Sequence, residues 1–334
     1  MAKQTFFNPE TAAYYNPSKE HRVVAITGGN SGLGWYTILH LYLHGYVVYI
    51  FGRNERKIET AIDEIRAEAS KRIDQYTEEE KKQRFVGRLN HIHADLTDLK
   101  SVETAAKEFL SQEKQLHILI NNAGLMGVPH EVTKDGYEIQ YQVNYVAHFL
   151  LTLELLPALK NVYETTDITP RVVSLSSIGH NAAYKYFHPS SKLNMIPSFA
   201  FTWVRYGNAK AAQIGFTNEL ARKYPKILSI SVHPGVVTGT ELYNHWKNIP
   251  VIGFFASNTF KAAGALGGVS NEEGSLASLR AALDSSLTAE KDNGKYLTTG
   301  GVESTASKVA SNPDNAKTTW DWNLENFKKL GLNV

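Results

Sequence analysis

An apolar run from Val23 to Ile26 halts at Thr27-Gly28-Gly29-Asn30-Ser31-Gly32-Leu33-Gly34 and then resumes with helical spacing. A buried strand that feeds a helix through three spaced glycines is a restrictive arrangement. Gly28 allows the tight turn, Gly32 lets the backbone approach a diphosphate, and Gly34 lets the helix pack close on the strand. The N–H groups at the start of that helix lack partners within it and face an anion favourably. The spacing G-x-x-x-G-x-G differs from the commoner G-x-G-x-x-G fingerprint. A chain that begins this way is directed toward a βα unit that holds a dinucleotide.

The pattern repeats along the chain. Further strands are expected at 46–51, 89–94, 116–120, 171–177, 227–232 and 295–299. Helical spacing covers 31–44, closed by Gly45, then 55–69, 99–111 with Asp98 as its cap, 136–160, 206–224 and 272–284. Residues 70–88 read as a charged, solvated extension. Strands alternating with long helices imply right-handed crossovers. The expected fold is α/β, a doubly wound, mostly parallel sheet (Rossmann fold) with helices on both faces. An arm over 1–20 would precede a single domain over 21–334.

Composition narrows the function. A net charge of +2 on 334 residues, with no basic block, argues against nucleic acid as a partner. The absence of cysteine excludes thiolate catalysis and cysteine-ligated zinc, and fits a reducing, cytoplasmic setting. No stretch is apolar enough to span a membrane, although peripheral contact with a membrane or lipid droplet stays open. The polar, aromatic first twenty residues do not read as a signal peptide. His40 and His44 share a helix face without a carboxylate at ligand spacing, and His91 and His93 lack further ligands, so no metal site is expected.

In a sheet of this kind ligands sit at the carboxyl ends of the strands. Those ends read Thr27–Gly34, Gly52-Arg53, Asp95, Asn121–Gly124, Ser176-Ser177 and Pro234-Gly235. Tyr206 and Lys210 stand one turn apart on the next helix. Together with Val143-Asn144-Tyr145 and Pro234-Gly235-Val236-Val237-Thr238, this order of motifs over roughly residues 22–240 resembles the short-chain dehydrogenase/reductase family.

The resemblance implies catalytic roles for Asn144, Ser177, Tyr206 and Lys210. Tyr206 would exchange a proton with the substrate oxygen, while Ser177 would hydrogen-bond that oxygen as charge develops. A Lys210 ammonium would favour the phenolate, whose free pKa of about 10 is too high for work near neutrality, and would hold the nicotinamide ribose. Asn144 would bridge to Lys210 through a water. The cofactor would contact Gly28, Asn30, Ser31, Gly32, Leu33, Gly34, Arg53, Asp95, Leu96, Asn122, Ala123, Gly124, Pro234, Gly235, Val237 and Thr238. In this group Asp95 would accept from the adenine amino group, with Leu96 beside it.

Relatives that prefer NAD place an acidic residue where this chain has Gly52 and Arg53. Arg53 can pair with a 2′-phosphate, so NADP(H) is expected over NAD(H), with Lys57 and Ser31 as secondary contacts. Ser177 and Tyr206 stand farther apart than in many members. The aromatic insert at 178–205, with His180 three residues past the serine, resembles the retinol-dehydrogenase-like branch. Together with a substrate lid at 239–268, it suggests a bulky lipophilic carbonyl or alcohol substrate. Helices 136–160 and 206–224 pair subunits in many relatives, so a homodimer is compatible with the sequence. A competing reading is a catalytically idle nucleotide-sensing or scaffold protein on the same fold.

Overall fold

The computed structural model describes residues 6–183, 192–197, 201–237 and 268–334. Its centre is a sheet of eight strands: β1 (Val23–Thr27), β2 (Val47–Gly52), β3 (Arg88–His93), β4 (Ile118–Asn121), β5 (Arg171–Leu175), β6 (Leu228–Val232), β7 (Tyr296–Thr298) and β8 (Val302–Ser304). Their spatial order is β3-β2-β1-β4-β5-β6-β7-β8. The pairs from β3 through β7 are parallel, and β7–β8 is antiparallel. The chain reverses its direction of strand addition between β1 and β4, which opens a crevice at their carboxyl ends.

The helices are α1 (Gly32–Leu43), α2 (Glu55–Asp74), α3 (Glu78–Gln83), α4 (Leu99–Gln112), α5 (Ile139–Tyr141), α6 (Ala147–Glu154), α7 (Leu156–Thr165), α8 (Thr202–Lys223), α9 (Asn271–Leu283), α10 (Ala289–Asp292) and α11 (Pro313–Lys329). Side chains of a strand alternate between faces, and both faces here are buried. Val23 and Ala25 join a core with Phe109, Phe149, Phe216 and Trp320, whereas Val24 and Ile26 join one with Ile38, Ile62 and Leu279.

The structure revises several expectations. The helix expected at 136–160 is interrupted twice. A π turn at Gln142–Val146 separates α5 from α6, and Pro157 in the first turn of α7 ends the ladder of α6 because proline offers no N–H. Within 70–88, α2 runs on to Asp74 and α3 follows behind a Thr77 capping box. Elements β8, α10 and α11 had no counterpart in the expected set. Trp320 of α11 packs edge-on to Phe149 at 4.7 Å and stacks on Phe216 at 5.5 Å. α11 thus covers the helix pair considered for a homodimer. In the arm, Tyr14 stacks on His44 at 4.1 Å.

Candidate active site

At the crevice, Gly28 takes φ +70°, and a Cβ there would lie 2.8 Å from Ala123 Cα. A Cβ on Gly34 would lie 2.3 Å from the Gly28 carbonyl oxygen. Both positions therefore exclude a side chain, and the loop lies close on the end of β4. Asn122 fastens it there, donating from Nδ2 to the carbonyls of Thr27 (2.8 Å) and Gly28 (2.9 Å). The Thr27 hydroxyl accepts from the backbone N–H groups of Asn122 and Ala123, both at 3.0 Å.

A cleft of about 390 Å³ opens beside the loop, lined by Asn30, Ser31, Asn54, Arg56, Lys57 and Thr60 among others. Its cationic groups are Arg56 and Lys57, while Arg53 stands exposed at the end of β2. Arg56 had not been singled out from the sequence. Leu33 and Val237 both pack where a Cβ on Gly274 of α9 would fall, so α9 closes one side of the loop. Asn271, also missed, presents Oδ1 3.7 Å from the Cβ position of Gly32. Asp95 Oδ1 accepts from the Thr97 amide (2.9 Å) and hydroxyl (2.7 Å), while the Leu96 carbonyl accepts from Gln142. Gly235, after Pro234, takes φ +94° against Thr299. Thr238 and 239–267 of the expected lid lie outside the described residues.

Tyr206 and Lys210 sit on the buried face of α8, each 4% exposed. The Lys210 ammonium lies 5.7 Å from the Tyr206 ring centre and donates to the Leu175 carbonyl (2.7 Å) and Gln213 Oε1 (3.0 Å). The two serines at the end of β5 differ in kind. Ser176 is buried and donates its hydroxyl to the Lys210 carbonyl at 2.8 Å, fixing α8 to the strand. Ser177 is half-buried, and its Oγ accepts the Gly179 N–H at 3.0 Å, which leaves the hydroxyl proton for another acceptor. Gly179 lies between this hydroxyl and the Tyr206 ring. A Cβ there would stand 2.7 Å from Tyr206 Cε1 and 3.4 Å from Ser177 Oγ.

Asn144 lies in the π turn, where interrupted helices often carry function. Its side chain accepts from the Leu125 N–H (2.9 Å) and donates to the Leu125 carbonyl (2.8 Å). Asn144 is thereby tied to the strand-four turn, where Gly124 brings it close to Lys210. A Cβ on Gly124 would lie 2.7 Å from Asn144 Oδ1 and 3.6 Å from Lys210 Nζ.

Two histidines, neither given a role from the sequence, lock this cluster, and the network fixes their tautomers. Thr27 Oγ1 already accepts two N–H groups, so its proton goes to His148 Nε2 at 2.8 Å. His148 then carries its proton on Nδ1 and donates to the Asn144 carbonyl at 3.2 Å. His180 Nε2 accepts the Ser307 N–H (2.9 Å), so Nδ1 donates to the Ser177 carbonyl (2.6 Å). His148 stands one turn beyond Asn144, which was the available signal. Beside Tyr206, the fully buried Arg205 meets Glu138 at 3.2 Å and donates to the Ile196 carbonyl at 2.6 Å, tying the insert to α8.

Burial sets the electrostatics. Loss of hydration pushes the Lys210 ammonium down to about 7 and His148 down to about 3. His180 is lowered by the same cause. Glu272 of α9 meets His40 (2.9 Å) and Arg72 (2.8 Å), and its hydrogen bond from His40 leads the causes that hold its carboxyl down at about 2. His40 thus has a carboxylate neighbour that sequence spacing did not show. No grouping of three metal-ligating side chains occurs among the described residues. Nor, among them, is any helix long and apolar enough to cross a membrane.

A doubly wound sheet with a glycine cradle at its switch point, and a buried tyrosine–lysine pair beside a serine at the adjoining strand end, is the frame of a dinucleotide-binding oxidoreductase fold. The short chain dehydrogenase family model matches residues 22–248, and the chain belongs to that family. Family members use NAD or NADP, and the glycine cradle fits such a nucleotide. The chain is 36% identical over 290 residues to an uncharacterized oxidoreductase of Schizosaccharomyces pombe, covering 84% of this chain and 78% of that protein. It is 37% identical over 279 residues to retinol dehydrogenase 12 of Mus musculus, covering 83% and 77%, and so falls in the retinol-dehydrogenase-like branch. Among solved structures, an uncharacterized protein from Mycobacterium paratuberculosis superimposes with a TM-score of 0.67 at 25% identity, covering 97% of this chain and 98% of that one.

Proposed function

We propose that the protein is an NADP(H)-dependent oxidoreductase that interconverts a bulky, lipophilic ketone or aldehyde and the matching alcohol. The observation that carries this reading is the cluster on α8. A phenol and an amine stand one turn apart, buried, at the end of the strand that also presents a serine hydroxyl free to donate.

The bound nicotinamide would supply or accept the hydride. Tyr206 gives a proton to the substrate oxygen in reduction and takes it back in oxidation. Ser177 donates its hydroxyl to the same oxygen, where the negative charge grows. Lys210, charged, stabilises the tyrosinate and has one N–H left for a ribose hydroxyl after the Leu175 and Gln213 contacts. His148 and Asn144 hold the strand-four turn, and with it Gly124, in place.

Preference for NADP(H) rests on the cationic side of the nucleotide cleft, Arg56 and Lys57, together with Arg53 at the end of β2 and no carboxylate in the place expected of an NAD enzyme. A lipophilic substrate is supported by Ile178 next to Ser177 and Val236 next to Gly235, which stand 57% and 38% exposed. It is also supported by the likeness to a protein named a retinol dehydrogenase. The test is oxidation of NADPH and of NADH against a panel of hydrophobic aldehydes and ketones. Carbonyl-dependent NADPH oxidation is the expected result. Tight binding of NADPH without turnover on any of them would favour the idle sensor instead.

A further inference from the structure

Lys210 has a neighbour whose geometry goes beyond the roles above. Gln213 lies three residues on, on the same buried face of α8, and is 1% exposed. Its Oε1 accepts from Lys210 Nζ at 3.0 Å. The opposite amide orientation would set an NH2 group against an ammonium, so Lys210 dictates which way Gln213 faces. Conversely, a lysine ammonium is a compact charge on a flexible stem and takes its direction from its acceptors. Here it has two, Leu175 O and Gln213 Oε1. The first comes from the sheet and is fixed with it; the second is a side chain and open to substitution.

We infer that Gln213 is a positioning residue for the proposed reaction: its Oε1 anchors the Lys210 ammonium in its charged form and aims the remaining N–H toward the nicotinamide ribose and Tyr206. This rests on the proposed function for its catalytic meaning, but the contact itself belongs to the cofactor-free chain. The titratable groups facing Lys210 are Tyr206 on its own helix and His148 on α6, the latter kept neutral by burial. His148, being neutral, brings no charge to bear on the amine. Hydrogen-bond acceptors therefore decide how far burial can neutralise the amine.

The test compares the wild type with Gln213→Leu and Gln213→Glu. Titrating the lysine ε-carbons by NMR in full-length protein carrying 13C-lysine reads the Lys210 midpoint directly, with Lys210→Met to assign the signal. Loss of one acceptor to an ammonium is expected to lower the midpoint by about one pH unit, and a carboxylate to raise it by at least as much. The same variants should move the pH profile of NADPH-dependent reduction in the same order, with kcat of the leucine variant at pH 7 reduced about tenfold. Equal midpoints in the three proteins would overturn the inference, as would a leucine variant that only melts earlier with its midpoint unmoved. Midpoints that shift as described in a protein that reduces no carbonyl would leave the contact standing and sink the proposed function.

Discussion

Gly179→Ala is a severe test of how the proposed catalytic cluster is held. The backbone of Gly179 does not lie at positive φ, so alanine costs nothing there conformationally. The added methyl would stand 2.7 Å from Tyr206 Cε1 and 3.0 Å from Cδ1. Carbon atoms rest at about 3.5–4.0 Å, so the ring has to move by about 1 Å. Backing away with the whole turn is also obstructed, because Gly207 already sits against the Gly179 carbonyl; a Cβ on Gly207 would be 2.7 Å from it. A displacement of this size at a reacting group costs about 100-fold in rate, or about 2.7 kcal/mol of transition-state stabilisation. The glycine cradle and the cleft at Lys57 are not touched. Steady-state reduction of a carbonyl with NADPH should therefore show kcat lowered about 100-fold, with NADPH affinity by fluorescence titration within twofold of the wild type. A kcat within twofold of the wild type would refute the placement of Tyr206 against the Ser177 turn.

Arg53→Asp is expected to lower the ratio of kcat/KM for NADPH over NADH by at least tenfold, because it places a carboxylate where a 2′-phosphate would lie. An unchanged ratio would move the reading of that phosphate to Arg56 and Lys57. Acid should destabilise the fold early. His44, His117, His148, His180 and His233 all have depressed pKa values from burial, with His117 and His233 at about 4 and His148 at about 3. Between pH 6.5 and those values the unfolded chain binds protons that the native one refuses. There His117, His148 and His233 each remove about 1.4 kcal/mol per pH unit, an effect absent above pH 6.5. Urea midpoints measured from pH 8 down to 4.5 should fall steeply below 6.5, and a flat curve would contradict the neutral histidines. Glu138→Ala removes the carboxylate that meets the buried Arg205 guanidinium and should cost about 3–5 kcal/mol of unfolding free energy, read from denaturant curves. A loss below 1 kcal/mol would remove that pair as the anchor of the α8 start.

Much of this architecture was legible because the relevant signals are local. Apolar runs ending in Gly28, Asn121 and Ser176 mark strand ends, and the structure finds β1, β4 and β5 ending within two residues of them. Asp98 caps α4 through the Lys100 N–H, and Gly45 follows α1 at φ +86°. Breaks inside helices were harder to see, because the π turn at Asn144 depends on tertiary contacts with Leu125 rather than on any helix-breaking residue. α11 went unrecognised although Asn312-Pro313 forms a good start, since its apolar residues make sense only against Phe149 and Phe216. In the site, the candidate residues were named by order and spacing. The groups that hold them, Gln213, His148 and Gly179, carry no motif. Their roles follow from which atom of a neighbour they meet.

The most direct test of the central claim is Tyr206→Phe, which removes one oxygen and keeps the ring against Gly179. NADPH binding by fluorescence titration should stay within about threefold of the wild type, while kcat for carbonyl reduction falls by at least 100-fold, the scale of a lost general acid. A variant that binds NADPH and still turns over near the wild-type rate would show that the proton comes from another group and that this cluster is not the catalytic centre.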